Sequence, residues 1–305
     1  MMNPIDFFKI QRRFILNSTK SFRRVPEKTV MDTESETRAY NLAGSLSMIP
    51  VYRVFTKIAC YLLPERPHNN LSELLVADFG SGPGNLLIMM ARTMGKINKK
   101  IRFLGSDLSK PMIDIASENI ASANLDTKIS VLKADCTKIE FVKRNSADLS
   151  TSLWVTHQFR SASHVIDMIR LMNNLTTING SILLMDFVRP PTEELVKMVV
   201  KYTGSGIPEN DKNYINSLKA SFSFSEWNVI LEQARIRDVK VAITSPIPLF
   251  IVIYRMGENT CKRIINNSLL PPLPENFTFW NRFNSMITQF LIEMSLRNGG
   301  FFLSE

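Results

Sequence analysis

Asp78-Phe79-Gly80-Ser81-Gly82-Pro83-Gly84 is the stretch on which the reading of this chain turns. It follows a short apolar run, Leu74 to Phe79, and precedes an amphipathic stretch from Asn85 to Thr93, so it lies where a strand gives way to a helix. Glycines permit a sharp turn at positive φ and leave no Cβ where a ligand approaches the backbone. The helix start beyond them offers free N–H groups. A dinucleotide fingerprint, G-x-G-x-x-G, would want its third glycine at position 85, but that residue is Asn85 and the third glycine comes one residue early. Asp78 argues the same way, because a carboxylate there repels a pyrophosphate and attracts a cationic ligand.

Around this loop, short apolar runs alternate with amphipathic stretches, the pattern of a parallel sheet covered by helices. Ile101 to Ser106 reads as the second strand, and Ser109 caps a helix to about Asn119 with Pro111 in its first turn. Ile129 to Lys133, Asp148 to Leu153 and Ser181 to Val188 follow as strands, with a helix from His164 to Leu175 before the last of them. The rhythm then loosens into an insertion: a helix from Thr192 to Tyr202, a loop from Gly204 to Asn213 and a short helix from Tyr214 to Ala220. Ser225 is expected to cap a helix from Glu226 to Ala234. Two late strands, Asp238 to Thr244 and Leu249 to Arg255, are parted by Pro246 and Pro248 and read as an antiparallel hairpin on the sheet edge. Upstream, Tyr40 to Leu63 is helical with a break or kink at Pro50. Downstream of Gly257 comes an Asn-, Pro- and Phe-rich stretch, then a helix from about Phe283 to Arg297.

With 305 residues, 45% hydrophobic and 21% charged, the chain is long and apolar enough to bury its own core. Cys60, Cys136 and Cys261 lack both a disulfide framework and zinc-ligand spacing, so no metal is expected and a reducing, cytoplasmic setting fits. No apolar run reaches the roughly 18 residues of a membrane span. The net charge is +9, and residues 1–28 carry +5 of it through Lys9, Arg12, Arg13, Lys20, Arg23, Arg24 and Lys28 against Asp6 and Glu27. These charges are interleaved with Ile5, Phe7, Phe8, Ile10, Phe14, Ile15 and Leu16, a partly amphipathic pattern. Any attraction to nucleic acid or to an anionic membrane is therefore a property of that segment.

The ligand takes shape from the strand ends. Asp78 suits a cationic centre. Asp107, ending the second strand, suits the two hydroxyls of a ribose. Ala134-Asp135-Cys136, after the third, offers an acceptor for an exocyclic amino group beside an apolar wall. One positive centre, one ribose and one amino-bearing base describe S-adenosylmethionine.

Over roughly residues 38–256 the chain resembles the class I S-adenosylmethionine-dependent methyltransferases, carried by ADFGSGPG (77–84), LGSDLSKPMIDIA (104–116), KADC (133–136), ADLSTSLWVTHQF (147–159) and GSILLMDFVRPP (180–191). The resemblance implies a Rossmann-like α/β fold: a seven-stranded, mostly parallel sheet with a C-terminal antiparallel hairpin and helices on both faces. It implies that Asp78, Gly80, Ser81, Gly82 and Gly84 line the methionine part. Asp107 would take the ribose, Leu108 and Met112 the adenine face, Asp135 and Cys136 the adenine edge, with Tyr40 and Ser152 completing the cofactor site. The resulting domain reading is a basic amphipathic segment over 1–37, the methyltransferase domain over 38–256 with a substrate-cap insertion at about 189–222, and an extension over 257–305.

Acceptor candidates follow the later strands. The stretch Ser150-Thr151-Ser152-Leu153-Trp154 lacks the Pro-Pro that enzymes acting on nucleobase amines or glutamine usually carry there, which counts against those acceptors. His157 either orients an acceptor and takes its proton, or is a structural histidine at a helix start. Arg189 either pairs with an acidic substrate group or forms an ion pair with Glu193 or Glu194. Tyr214 and Asn216 join them as pocket candidates, whereas His68 and His164 read as surface residues. The leading expectation is methyl transfer to the oxygen, nitrogen or carbon of a small molecule. The alternatives are an RNA or protein methyltransferase docking through the basic segment, a membrane-surface lipid or quinone methyltransferase aided by residues 1–28 and by Phe301 and Phe302, and an inactive binding protein.

Overall fold

The computed structural model describes residues 4–27, 31–65, 73–138, 143–204, 208–260, 262 and 265–298. Three helices come first: α1 (Pro4–Leu16), α2 (Glu34–Gly44) and α3 (Ile49–Leu62). The alternating part then runs β1 (Leu74–Phe79), α4 (Asn85–Ile97), β2 (Ile101–Asp107), α5 (Lys110–Ser122), β3 (Ile129–Lys133), β4 (Ala147–Leu153), α6 (Ala162–Leu175) and β5 (Thr176–Phe187). It closes with α7 (Glu193–Thr203), α8 (Pro208–Ala220), α9 (Phe224–Ala234), β6 (Val239–Ile243), β7 (Phe250–Arg255) and α10 (Phe279–Asn298).

The seven strands form one sheet in the order β3-β2-β1-β4-β5-β7-β6. β1 to β5 are parallel to their neighbours, and β7 runs antiparallel to both β5 and β6. The strand order reverses between β1 and β4, and at such a switch point diverging connections leave a crevice at the carboxyl ends of the strands. β4 is buried along its whole length, and β1 at every residue but Leu75, as expected of central strands covered on both faces. One core lies under α3, α4 and α7, with residues such as Phe55, Leu87, Leu183 and Val196; the other lies under α6 and α9, with Phe79, Met168, Ile182 and Trp227.

Local chemistry explains where the elements differ from expectation. Pro50 does not kink a long helix: α2 ends at Gly44, and Pro50 sits in the first turn of α3, where the missing N–H has no intrahelical partner to lose. The expected loop up to Asn213 is helical from Pro208, again with proline at a helix start. The cap of α9 is Ser223, not Ser225, because Ser223 and Glu226 have the spacing of a reciprocal capping box and make both of its bonds.

The terminal segments share the domain's core. Ile10 and Phe14 of α1 are buried with the residues of α7, and Ile265, Leu270, Ile292 and Leu296 are buried over α3. Arg53 of α3 donates to Gln289 Oε1 at 2.8 Å and to the Pro271 carbonyl at 2.6 Å, and Lys57 meets Glu293 at 2.8 Å. Cys60 and Cys136 are buried, and no group of metal-ligating side chains stands among the described residues. No helix there is long and apolar enough to cross a membrane. His68, Cys261, Phe301 and Phe302 lie outside the described residues.

Candidate active site

The glycine loop is shaped by what surrounds it. Gly80, Gly82 and Gly84 hold φ of 74°, 51° and 78°, in the left-handed region. Gly80 and Ser81 both donate to the Ser106 carbonyl, at 2.8 and 2.9 Å, which ties the loop to the end of β2. A Cβ on Gly80 would stand 2.3 Å from Val155, and one on Gly84 would press on Ala116 at 3.3 Å. Gly82 faces only the Tyr40 ring, at 3.8 Å, so its side is the open one. No side chain caps the first turn of α4 beyond the loop.

Acidic groups ring this open side. Asp78 is buried, accepts from Thr151 Oγ1 at 2.6 Å, and burial pushes its carboxyl up to about 7. A cation beside it would draw that value back down. Asp107 accepts from the Gly82 N–H on one oxygen and the Ser109 N–H on the other, both at 2.9 Å. The Leu108 N–H is a further donor to it, and burial raises the carboxyl above its ordinary range. Cys136 is buried, its thiol pushed up to about 12 by burial and then by Asp107 and Asp135. Met112 is buried at the start of α5, and Leu108 is half exposed beside it. Asp135 is turned onto Thr137, which donates from Oγ1 at 2.6 Å and from N at 2.9 Å. Burial works against its charge, but those bonds and Lys138 hold it below its ordinary range. Ser152 is fully buried and donates to the Phe79 carbonyl at 3.0 Å, a tie between β4 and the end of β1.

Beyond β4 the chain enters a 3-10 turn, Thr156–Gln158, that places His157 over the end of β5. Its Nδ1 lies 2.8 Å from Asp186 Oδ1, with both side chains buried. Asp186 also accepts from Thr156 Oγ1 at 2.5 Å, from the Phe187 N–H at 2.7 Å and from the His157 N–H at 3.2 Å. Burial opposes the charge on both partners; the pairing prevails, raising His157 above and holding Asp186 below its ordinary value. Nε2 of His157 has no hydrogen-bond partner among the described residues. The Tyr40 hydroxyl is raised by burial and then by Asp107, Glu27 and Asp186, and its ring lies beside Gly82.

An aromatic wall flanks the histidine. Phe187 is 5.6 Å from the His157 ring, 5.4 Å from Tyr214 and 5.3 Å from Trp154, on which it stacks. Trp154 holds φ of 59°, a strained conformation for a bulky residue, and its indole N–H is buried without a partner among the described residues.

Two acceptor-side expectations change. Arg189 is a buried structural residue paired with Glu226 at 3.0 Å and donating to the Ser221 carbonyl at 2.9 Å. Glu193 and Glu194, its expected partners, are taken by Lys219 and Arg13. Asn216 is exposed on α8 and joins nothing in the site, because the helical turn that turns Tyr214 inward carries position 216 outward. Asp186 and Arg24 were missed. Asp186 had a readable signal, a carboxylate at the carboxyl end of a central strand; Arg24 had none, because its partners are main-chain carbonyls more than a hundred residues away.

Residues 76–180 match the family model described as a methyltransferase domain. The chain is 22% identical over 204 residues to the ubiquinone/menaquinone biosynthesis C-methyltransferase UbiE of Pseudomonas paraeruginosa, covering 65% of this chain and 75% of that protein. In fold it is similar to the plantazolicin methyltransferase BpumL in complex with SAH, with a TM-score of 0.55 and 13% identity over 83% of this chain and all of that one. It is also similar to an O-methyltransferase family protein from Burkholderia thailandensis, with a TM-score of 0.51 and 14% identity over 73% of this chain and 60% of that one. The glycine loop open at Gly82, the acidic strand ends and the match over residues 76–180 agree: the chain carries a methyltransferase domain and is an S-adenosylmethionine-dependent methyltransferase.

Proposed function

We propose that this methyltransferase acts on a small-molecule acceptor that gives up a proton at the atom to be methylated, oxygen or carbon, with His157 as the base. The observation that carries the reading is the buried His157–Asp186 pair at the carboxyl ends of β4 and β5. With its Nδ1 proton held by Asp186, the neutral ring presents Nε2 as the acceptor, and Asp186 stabilises the imidazolium once the proton has moved. Burial beside Phe187, Trp154 and Tyr214 excludes water and offers a flat apolar surface to a conjugated ring.

S-adenosylmethionine supplies an electrophilic methyl on a sulfonium with a good leaving group. For that group the chain offers Gly80, Ser81, Gly82, Gly84 and Asp78 at the loop, Asp107 for ribose hydroxyls, Leu108 and Met112 as an apolar face, and Asp135 and Cys136 at the base edge. The Tyr40 ring lies beside Gly82. The relative named as a quinone C-methyltransferase supports a small conjugated acceptor. The reading of residues 1–28 as a docking arm for a polymer or a membrane loses its support, since Ile10 and Phe14 are buried, Arg13 pairs with Glu194 and Arg24 is engaged within the fold.

A panel of low-mass phenols, hydroquinones, carbon acids and amines, run beside total RNA and protein with S-adenosylmethionine, tests this by mass spectrometry for the gain of one methyl. Methylation confined to phenolic, quinol or carbon-acid members is expected. Methylation confined to RNA, protein or simple amines overturns the reading.

A further inference from the structure

We propose that Arg24 is a positioning residue of the active site: its guanidinium ties the turn that carries His157 to the end of α8, so the acceptor side is complete only when residues 18–27 are seated. The inference rests on the reading of His157 as the base, and adds to it the element that holds the base in place.

Among the described residues, every hydrogen bond of Arg24 goes to main chain. Nε donates to the Ala220 carbonyl at 2.5 Å, Nη1 to the Arg160 carbonyl at 2.9 Å, and Nη2 to the His157 carbonyl at 3.0 Å and to that of Phe159. Three of the four carbonyls lie in or just after the 3-10 turn that follows β4, at His157, at its C-cap Phe159 and at Arg160, where such groups lack helical partners. The fourth ends α8, the helix that supplies Tyr214 to the aromatic wall. A guanidinium whose role was charge pairing would be aimed at a carboxylate; this one is aimed at four carbonyls in two segments that pack against each other. The Phe222 ring lies 4.1 Å beneath it and favours a flat, delocalised cation over an ammonium.

Neighbouring bonds seat the same strap. Val25 N–H donates to the Lys219 carbonyl at 3.2 Å, and Ser217 Oγ donates to Glu27 Oε1 at 2.8 Å. Phe22 lies 5.5 Å from the Arg189 guanidinium. Past Glu27, Ser109 Oγ donates to the Met31 carbonyl at 2.6 Å, beside the Asp107 carboxylate. Residues 24–27 of the strap are therefore anchored on the histidine turn and on α8.

The test uses the full chain. It has three histidines, so long-range 1H–15N NMR follows the His157 ring directly. In Arg24→Gln the His157 resonances should move and their titration midpoint should rise, because a neighbouring positive charge is gone. With the acceptor that the panel returns, kcat should fall about 10- to 100-fold through misplacement of the base, with cofactor affinity held within about two-fold. Arg24→Lys keeps the charge but loses the fork, so kcat should fall to a similar extent with the midpoint near the parent value. Parent kcat in Arg24→Lys, or unmoved His157 signals with unchanged kcat in Arg24→Gln, overturns the proposal. Parent kcat in His157→Gln defeats the base reading instead, and the ring signals in Arg24→Gln still report whether Arg24 holds the turn.

Discussion

The two halves of the crevice are built on different principles. On the cofactor side, at the ends of β1, β2 and β3, the work is done mostly by backbone: three left-handed glycines, the N–H groups of Gly82 and Ser109, and a carboxylate that ends a strand. These parts lie within residues 78–136 and take their places once each strand and the turn after it have formed. On the acceptor side the parts are side chains from α1's outgoing segment, α2, the turn after β4, the end of β5 and α8, brought together only when the sheet has closed. Local chemistry is hard to vary there and easy to recognise; the assembled surface is free to change its acceptor while the loop stays the same.

If the acceptor half holds the chemistry, His157→Gln gives the largest effect: kcat should fall about 10²- to 10⁴-fold with cofactor affinity unchanged, as measured by steady-state kinetics and calorimetry. An equal loss of cofactor affinity would erase the distinction between the halves. The converse change is Asp107→Ala. It removes a buried acceptor from the cofactor half, so S-adenosylmethionine binding should weaken about 10- to 100-fold by calorimetry while the His157 ring keeps its titration.

The pH profile sharpens the comparison on the acceptor side. His157 is raised above 6.5 by Asp186 against the opposing effect of burial. Its neutral form is the base, so kcat should climb as pH rises through that raised value and be low beneath it. Asp186→Asn removes the attraction for the proton, and the midpoint should move down. An unmoved midpoint would mean that another group controls the profile. The smallest effect belongs to Asn216→Ala: exposed on α8, it should change kcat/KM by less than about two-fold, within the usual range of surface substitutions.

Much of the fold was legible because each signal was local. Ser109 before Pro111 marks a helix start, and it does cap α5, accepting from the Met112 N–H at 3.3 Å. The apolar runs at β1 to β5 are bounded by turn residues, and the late hairpin reads from its prolines. The misplacements were also local: in Ser-Phe-Ser-Phe-Ser-Glu, the serine three residues before Glu226 can close the capping box, and the nearer one cannot. Arg189 and Asn216 were harder, since helical phase and ion-pair partner depend on how α7, α8 and α9 settle on one another.

The basic segment shows the limit most plainly. Its +5 reads as an arm for polyanions, yet Arg24 carries part of that charge into the fold and uses it on carbonyls of residues 157, 159, 160 and 220. The sequence by itself determined the alternating sheet, the glycine loop and the acidic strand ends, because strand period, turn chemistry and positive φ act over a few residues. Only the tertiary structure decided that His157 meets Asp186, that Arg189 meets Glu226 and that residues 18–27 are a strap. Those choices depend on which distant groups are left without partners after the core has packed, and no stretch of chain carries that information alone.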